Sequence, residues 1–202
     1  MVRFGDDIVV GFNSPADADQ FRAELTERMQ KFNLELHPEK TRLLEFGPYA
    51  IDQRQWRGEG KPETFNFLGF THICVKKKSN GRFTVLRQTI RKRLQTKLKE
   101  VKAELQRRMH EPIPEQGKWL RAVVGGHFRY YGVPMNVPAL CSFRSAVACL
   151  CQAVLRRRSQ GNHLPWRRMR RFIVRWFPLA RVCHPYPRER LGVFTQGGSR
   201  MR

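Results

Sequence analysis

The sequence predicts an α+β protein in which a partial β-sheet is followed by a small basic helical bundle. Three observations carry this. Short apolar runs separated by turn residues (Gly5, His37-Pro38, Asn80-Gly81) dominate as far as residue 88, after which the apolar residues recur at helical spacing. The charge also changes sign along the chain. Residues 1–70 hold 9 Lys/Arg against 12 Asp/Glu, a net of −3, whereas residues 71–202 hold 30 against 5, a net of +25, within a whole-chain charge of +22. The expected divisions are a sheet-containing part over 1–88, a helical part over 89–178 and a basic tail over 179–202.

The elements follow in order. In "VRFGDDIVVGF" two short strands flank Gly5-Asp6-Asp7, read as the turn because glycine supplies the backbone angles a tight hairpin needs. "NSPADADQFRAELTERMQKF" carries helix-start chemistry, with Ser14 as N-cap, Pro15 at the first helical position, and Asp17 and Asp19 in the first turn. Phe21, Leu25, Met29 and Phe32 then form one apolar stripe, expected to be core. "LELHPEKTRLLEF" alternates as two strands around His37-Pro38, with Lys40 opening the second, and residues 47–63 read as a polar loop. "FNFLGFTHICVKKKSNGRFTVLR" is the clearest β segment, since apolar runs flank Asn80-Gly81. This sheet has little helix to cover it, so a covering partner segment is expected on one face or edge.

From Thr89 the period is helical. Ile90, Leu94, Leu98, Val101 and Leu105 make a narrow stripe, and basic residues crowd the other faces. Further helices are expected over about Glu115–Tyr130, over "PALCSFRSAVACLCQAVLRRR" with Leu140, Phe143, Val147, Leu150 and Val154 inward, and over "WRRMRRFIVRWF" after Pro165.

A net of +25 over residues 71–202 points to a polyanionic partner, with nucleic acid first and a membrane surface second. No unbroken apolar run approaches the roughly 18 residues of a membrane span, and the N-terminus lacks a basic-then-apolar signal pattern, so no membrane partner is expected and a cytoplasmic, nucleic-acid-associated protein is. The five cysteines (Cys74, Cys141, Cys149, Cys151 and Cys183) contain no CxxC pair and are expected to be buried thiols rather than disulfides or zinc ligands.

Several stretches, taken in order, resemble one family. "RFGDDIVVGF" is similar to the paired-aspartate motif of reverse transcriptases. "LELHPEKTRLLEF" resembles the following motif of the group II intron branch, with its Lys-Thr pair, and "FNFLGF" resembles the hairpin that holds the primer end. "RYYGVPMNVPAL", "LRRRSQ", "HPYP" and "TQGGSRMR" resemble the thumb and maturase region of bacterial group II intron-encoded proteins. The chain departs from the family pattern at Phe4-Gly5, where relatives carry Tyr-Ala. Met1 stands just upstream of the paired acids, so the fingers and the first half of the palm, with its third metal-binding aspartate, are expected to be absent. So is the zinc-dependent endonuclease module of some relatives.

The resemblance implies an RNA-directed DNA polymerase palm fragment, a thumb and an RNA-binding maturase region that supports splicing. It implies group II intron RNA as partner, with a DNA target or primer and a separate N-terminal reverse transcriptase fragment as further ones. Nucleotide transfer uses two divalent ions roughly 4 Å apart, and hard Mg²⁺ ions take carboxylate oxygens. Asp6 and Asp7 are then the candidate metal ligands and catalytic acids, with Asp6 the direct ligand. Two adjacent acids do not surround both ions, so Mg²⁺ is expected only if the missing part completes the site, and this chain alone is expected to be inactive. Lys40 is implied as the lysine near the triphosphate, and Phe67, Leu68 and Gly69 as primer grip, glycine allowing close backbone approach. Asp6 and Asp7 as plain turn residues, Lys40 as a solvated charge and Phe67 as core remain open alternatives.

In the basic half, Arg91, Lys92, Arg93 and Lys97, and the cluster Arg156, Arg157, Arg158, Arg167, Arg168, Arg170 and Arg171, are the candidate RNA-binding residues. Arginine predominates in that second cluster, which suits bidentate contact with phosphate. Trp166, with Tyr130, Tyr131 and Trp176, is a candidate for stacking on unpaired bases, against packing in the bundle. The rival functional class is a free-standing basic RNA-binding protein without enzymatic ancestry, for which Asp6 and Asp7 have no special role.

Overall fold

The computed structural model describes residues 1–158 and 164–185. It is mixed α and β, as expected. The order is β1 (Val2–Phe4), β2 (Asp7–Val9), α1 (Pro15–Gln30), α2 (Ala50–Trp56), β3 (Phe65–Phe67), β4 (Phe70–Lys76), β5 (Phe83–Thr89), α3 (Arg91–Arg107), α4 (Ile113–Tyr131), α5 (Val137–Arg156) and α6 (Trp166–Trp176). Strands β1 and β2 form one antiparallel pair, and β3, β4 and β5 a three-stranded sheet in that order. The chain divides into two compact units: residues 1–67 with 74–84, and residues 68–73 with the described residues from Val85 onward.

In the first unit the register pairs Val2 with Val9, Arg3 with Ile8 and Phe4 with Asp7. The turn is therefore Gly5-Asp6, with Gly5 at φ +59, and Asp7 is the first residue of β2 rather than part of the turn. Helix α1 starts as its sequence dictates, the Ser14 hydroxyl accepting from Ala16 N at 3.1 Å. Its stripe does not form a core. Phe21, Leu25 and Met29 are only half-buried and Phe32 is 66% exposed, because among the described residues of this unit little packs over them. Phe12 meets Phe21 at 5.2 Å between rings.

Two further expectations fail here. Residues 34–46 form no strands: a turn at residues 38–40, closed by Thr41 N donating to His37 O at 2.9 Å, separates segments without ladder partners. The segment 47–63 is not a plain loop, because it holds α2. Asp52 on that helix pairs with Lys76 at 2.5 Å, and Arg57 bridges Glu45 (2.5 Å) and Glu59 (2.9 Å). These charge pairs with residues outside α2 accompany a short helix where composition alone suggests none.

The second unit holds the core. Val101 and Leu105 of α3, Leu120, Val124 and Phe128 of α4, Leu140, Phe143, Val147 and Cys151 of α5, and Met169 and Trp176 of α6 are all buried in one cluster. Of the stripes read from the sequence, Val101 and Leu105 of α3 and Leu140, Phe143, Val147 and Val154 of α5 are buried, while Leu94, Leu98 and Leu150 are only partly so; the α4 and α6 members, Trp176 among them, are not assigned to the core by the sequence reading. Prolines sit at the helix starts, Pro114 in α4, Pro138 in α5 and Pro165 before α6, where a missing N–H costs nothing. Gln116, fully buried, donates from Nε2 to the carbonyls of Arg108 (2.7 Å), Met109 (3.2 Å) and Glu111 (3.2 Å), satisfying groups left open after α3. Asn136 is buried, accepts from Thr89 N (3.1 Å) and donates to Thr89 Oγ1 and Tyr131 O (both 2.8 Å), tying the α4–α5 link to the end of β5.

Helix α5 is long and apolar enough to cross a membrane by length and composition, with mean hydropathy 1.5. The absence of an unbroken apolar run had hidden this, since Arg144 interrupts the sequence. The cysteines also divide: Cys74 and Cys151 are buried, the latter's thiol pushed up to about 12 by burial, while Cys141, Cys149 and Cys183 are exposed.

Candidate functional site

In the first unit the paired acids stand at the tip of the β1–β2 hairpin, both exposed. Asp6 sits in the turn and Asp7 opens β2. Among the described residues no group of three His, Cys, Asp or Glu converges. The described residues therefore do not by themselves fit a two-ion site, and no chemical step is derived through one. Lys40 lies exposed in the separate 38–40 turn rather than at the head of a strand.

Phe67 ends β3, and Leu68-Gly69 is the two-residue turn into β4, with positive φ at both positions (+48 and +81). Glycine takes this conformation freely; leucine does so at a cost and must be held there. Within the second unit the holding groups are visible. The Tyr130 hydroxyl donates to Leu68 O at 2.9 Å, and Ile90 N donates to Gly69 O at 3.1 Å. A side chain at Gly69 would meet the Tyr131 hydroxyl at 3.1 Å and the Arg93 guanidinium at 3.3 Å. Phe70 is buried, stacked against Tyr130 (6.1 Å) and edge-on to Tyr131 (5.3 Å). Tyr130 and Tyr131 thus brace the turn, a role the sequence reading did not assign them.

The match to known families falls on this first part of the chain. Residues 1–72 match the reverse transcriptase (RNA-dependent DNA polymerase) family model. Neither curated proteins nor solved structures give a match. The reverse transcriptase match takes in Asp6, Asp7, Lys40, Phe67, Leu68 and Gly69, and supports polymerase ancestry for this segment against a basic protein with none. The basic helices lie beyond it.

On those helices Arg91, Lys92, Arg93 and Lys97 are all exposed along the first two turns of α3. Arg156 and Arg157 are exposed at the end of α5, but Arg158 is half-buried, its guanidinium reaching His110 O at 3.4 Å. Arg167, Arg168, Arg170 and Arg171 are exposed on α6, on the side away from buried Met169 and Trp176. Gln152 Nε2 donates to Leu164 O at 3.0 Å, which sets the chain just before α6 beside α5. Trp166 is 46% exposed and free to stack, whereas Trp176 is core, its ring flanked by the guanidinium groups of Arg121 and Arg175 at 5.3 Å each. In the stretches resembling the maturase region, Ser159, Gln160, Tyr186, Pro187 and the whole of "TQGGSRMR" lie outside the described residues.

Sequence reasoning missed one feature. An open groove of about 540 Å³ in the second unit is lined by Ile90, Lys92, Arg93, Thr96, Lys97, Glu100, His127 and Tyr131. Burial and the nearby Lys97 charge lower the His127 imidazole to about 4, so it is neutral near pH 7. Burial likewise raises the Tyr131 phenol, partly opposed by the hydrogen bond and charge of Arg93. A lone histidine in an apolar helix carries no sequence signal for this; its groove neighbours lie some thirty residues earlier, on α3.

Proposed function

We propose that this chain corresponds to the C-terminal part of a group II intron reverse transcriptase and maturase, binding structured intron RNA through its basic helices and supporting splicing. The supporting observation is the union, on one chain, of a reverse transcriptase match over residues 1–72 with a region of 30 Lys/Arg against 5 Asp/Glu over residues 71–202, in which Arg91, Arg93, Arg156, Arg157, Arg167, Arg168, Arg170 and Arg171 stand exposed on or at the ends of packed helices. Exposed guanidinium groups on a rigid bundle suit phosphate contact, because their fork geometry is presented without ordering a loop.

The paired acids belong to the same reading as a metal-binding pair that needs a further carboxylate from outside the described residues. The partner supplying it would be an N-terminal reverse transcriptase fragment, with a DNA primer as the other nucleic acid and Mg²⁺ as the ion. A titration of the full chain with folded group II intron RNA at several salt concentrations tests the reading. Each neutralised phosphate releases counterions, so affinity is expected to fall by orders of magnitude over a several-fold rise in salt. Binding indifferent to salt, or none at low salt, refutes it.

A further inference from the structure

The groove at the start of α3 has more in it than positive charge. Lys92, Arg93 and Lys97 outnumber its one acid, Glu100, which pairs with Lys97 at 2.9 Å. Helix α3 has no side-chain cap, so its first-turn N–H groups add positive potential at the same end. The groove wall also contains His127, only 8% exposed, whose Nε2 has no hydrogen-bond partner among the described residues. The ring itself is fixed, stacked on Phe143 at 3.7 Å and against Tyr131 at 4.6 Å. A buried polar atom left unpaired is costly, and where it borders a groove a ligand can relieve that cost.

The chemistry of that ligand follows from the wall. The cations and helix end call for a phosphate. A neutral imidazole forms no ion pair with one; its complement is a hydroxyl, which both donates and accepts and so pairs with either tautomer. Phosphate and hydroxyl adjacent on one backbone are a ribonucleotide, and the 2′-hydroxyl is what separates RNA from DNA. We propose that this groove is a ribose-phosphate subsite that favours RNA over DNA, with Lys92, Arg93 and Lys97 around a phosphate and His127 Nε2 paired to a 2′-hydroxyl. The inference rests on the RNA-binding function proposed above and assigns the selectivity to one atom. Nε2 is covered in the free protein. Binding the sugar therefore requires a neighbouring side chain to move aside.

The test titrates the full chain with a single-stranded oligoribonucleotide and with its 2′-deoxy counterpart at one ionic strength, for the natural protein and for His127→Phe, which keeps the stacked ring and removes the nitrogens. The natural protein is expected to prefer the ribose form by roughly tenfold, the scale of one hydrogen bond. His127→Phe should lose that preference with deoxy affinity unchanged. If the natural protein binds both strands equally, or if folded His127→Phe keeps the preference, the inference is overturned. Should His127→Phe not fold, the ring nitrogen resonances of His127 in the natural protein, followed by NMR, decide: a shift on adding the ribose strand that the deoxy strand does not give supports the inference, and the same response to both strands overturns it. Absence of binding to either strand overturns the inference, whereas failure to bind folded group II intron RNA is what refutes the RNA-binding function itself.

Discussion

Replacing Gly117 by alanine probes the contact that seats α6 on the bundle. A Cβ built at Gly117 falls 2.3 Å from Cδ2 of Trp176, 2.4 Å from Cε2 and 2.6 Å from Cγ. These are atoms at the fused centre of a buried ring, which cannot yield as a flexible chain end would. Either Trp176 rotates out, giving up its core place and its contacts with Arg121 and Arg175, or α6 lifts from α4. Overpacking of this kind costs typically 1–3 kcal/mol, and a clash this deep belongs at the upper end. The helix-propensity gain of about 0.5–1 kcal/mol from Gly→Ala offsets part, leaving about 2 kcal/mol of net destabilisation. For a chain of this length that lowers Tm by about 4–8 °C. Gly126→Ala is the control: it makes the same chemical change on the same helix, where a Cβ meets nothing within 4 Å, and should raise Tm by a few degrees. Thermal melts followed by circular dichroism measure both. If the two variants shift Tm in the same direction by similar amounts, the α4–α6 packing described here is wrong.

Three other outcomes are expected. His127 is neutral in the folded protein down to about pH 4 but titrates near 6.5 when unfolded, so the unfolded state binds the extra proton between these values; stability is complete above about pH 6.5 and falls by about 3 kcal/mol as pH drops to 4, and chemical denaturation should show this slope diminished in His127→Phe. Changing the exposed Arg156, Arg157, Arg167, Arg168, Arg170 and Arg171 to glutamine should weaken RNA binding at least tenfold with Tm unchanged, as measured by filter binding and melting; unchanged affinity would make these residues a solubilising face only. The chain alone should not extend a primer, and in a mixture with a reverse transcriptase N-terminal half that restores extension, Asp6→Asn should abolish it and Asp7→Asn reduce it less; extension by the lone chain that survives Asp6→Asn rules out the metal role.

What the sequence determined by itself is what short-range chemistry controls. The helices of the second unit, with their stripes Leu140–Phe143–Val147–Val154 and Val101–Leu105, follow from 3.6-residue periodicity and proline at the starts, and the bundle buries those residues. Ser14 caps α1 because a hydroxyl there reaches Ala16 N whatever else surrounds it. The paired acids at a hairpin and the excess of exposed arginine were likewise legible, since a motif and a composition are properties of the chain. Tertiary structure alone decided the rest. Whether Phe21 to Phe32 would be core depended on what packs over them, which periodicity does not contain. The α2 helix is held by Asp52–Lys76 and the Glu45–Arg57–Glu59 pairs, partners up to 24 residues apart. Asp7 entered β2 because register, set by pairing with Phe4, placed the turn one residue earlier. The His127 groove needed the start of α3 brought to the end of α4 and Phe143 of α5 against the ring; its charge, its burial and its unpaired nitrogen arise from neighbours that folding brings together.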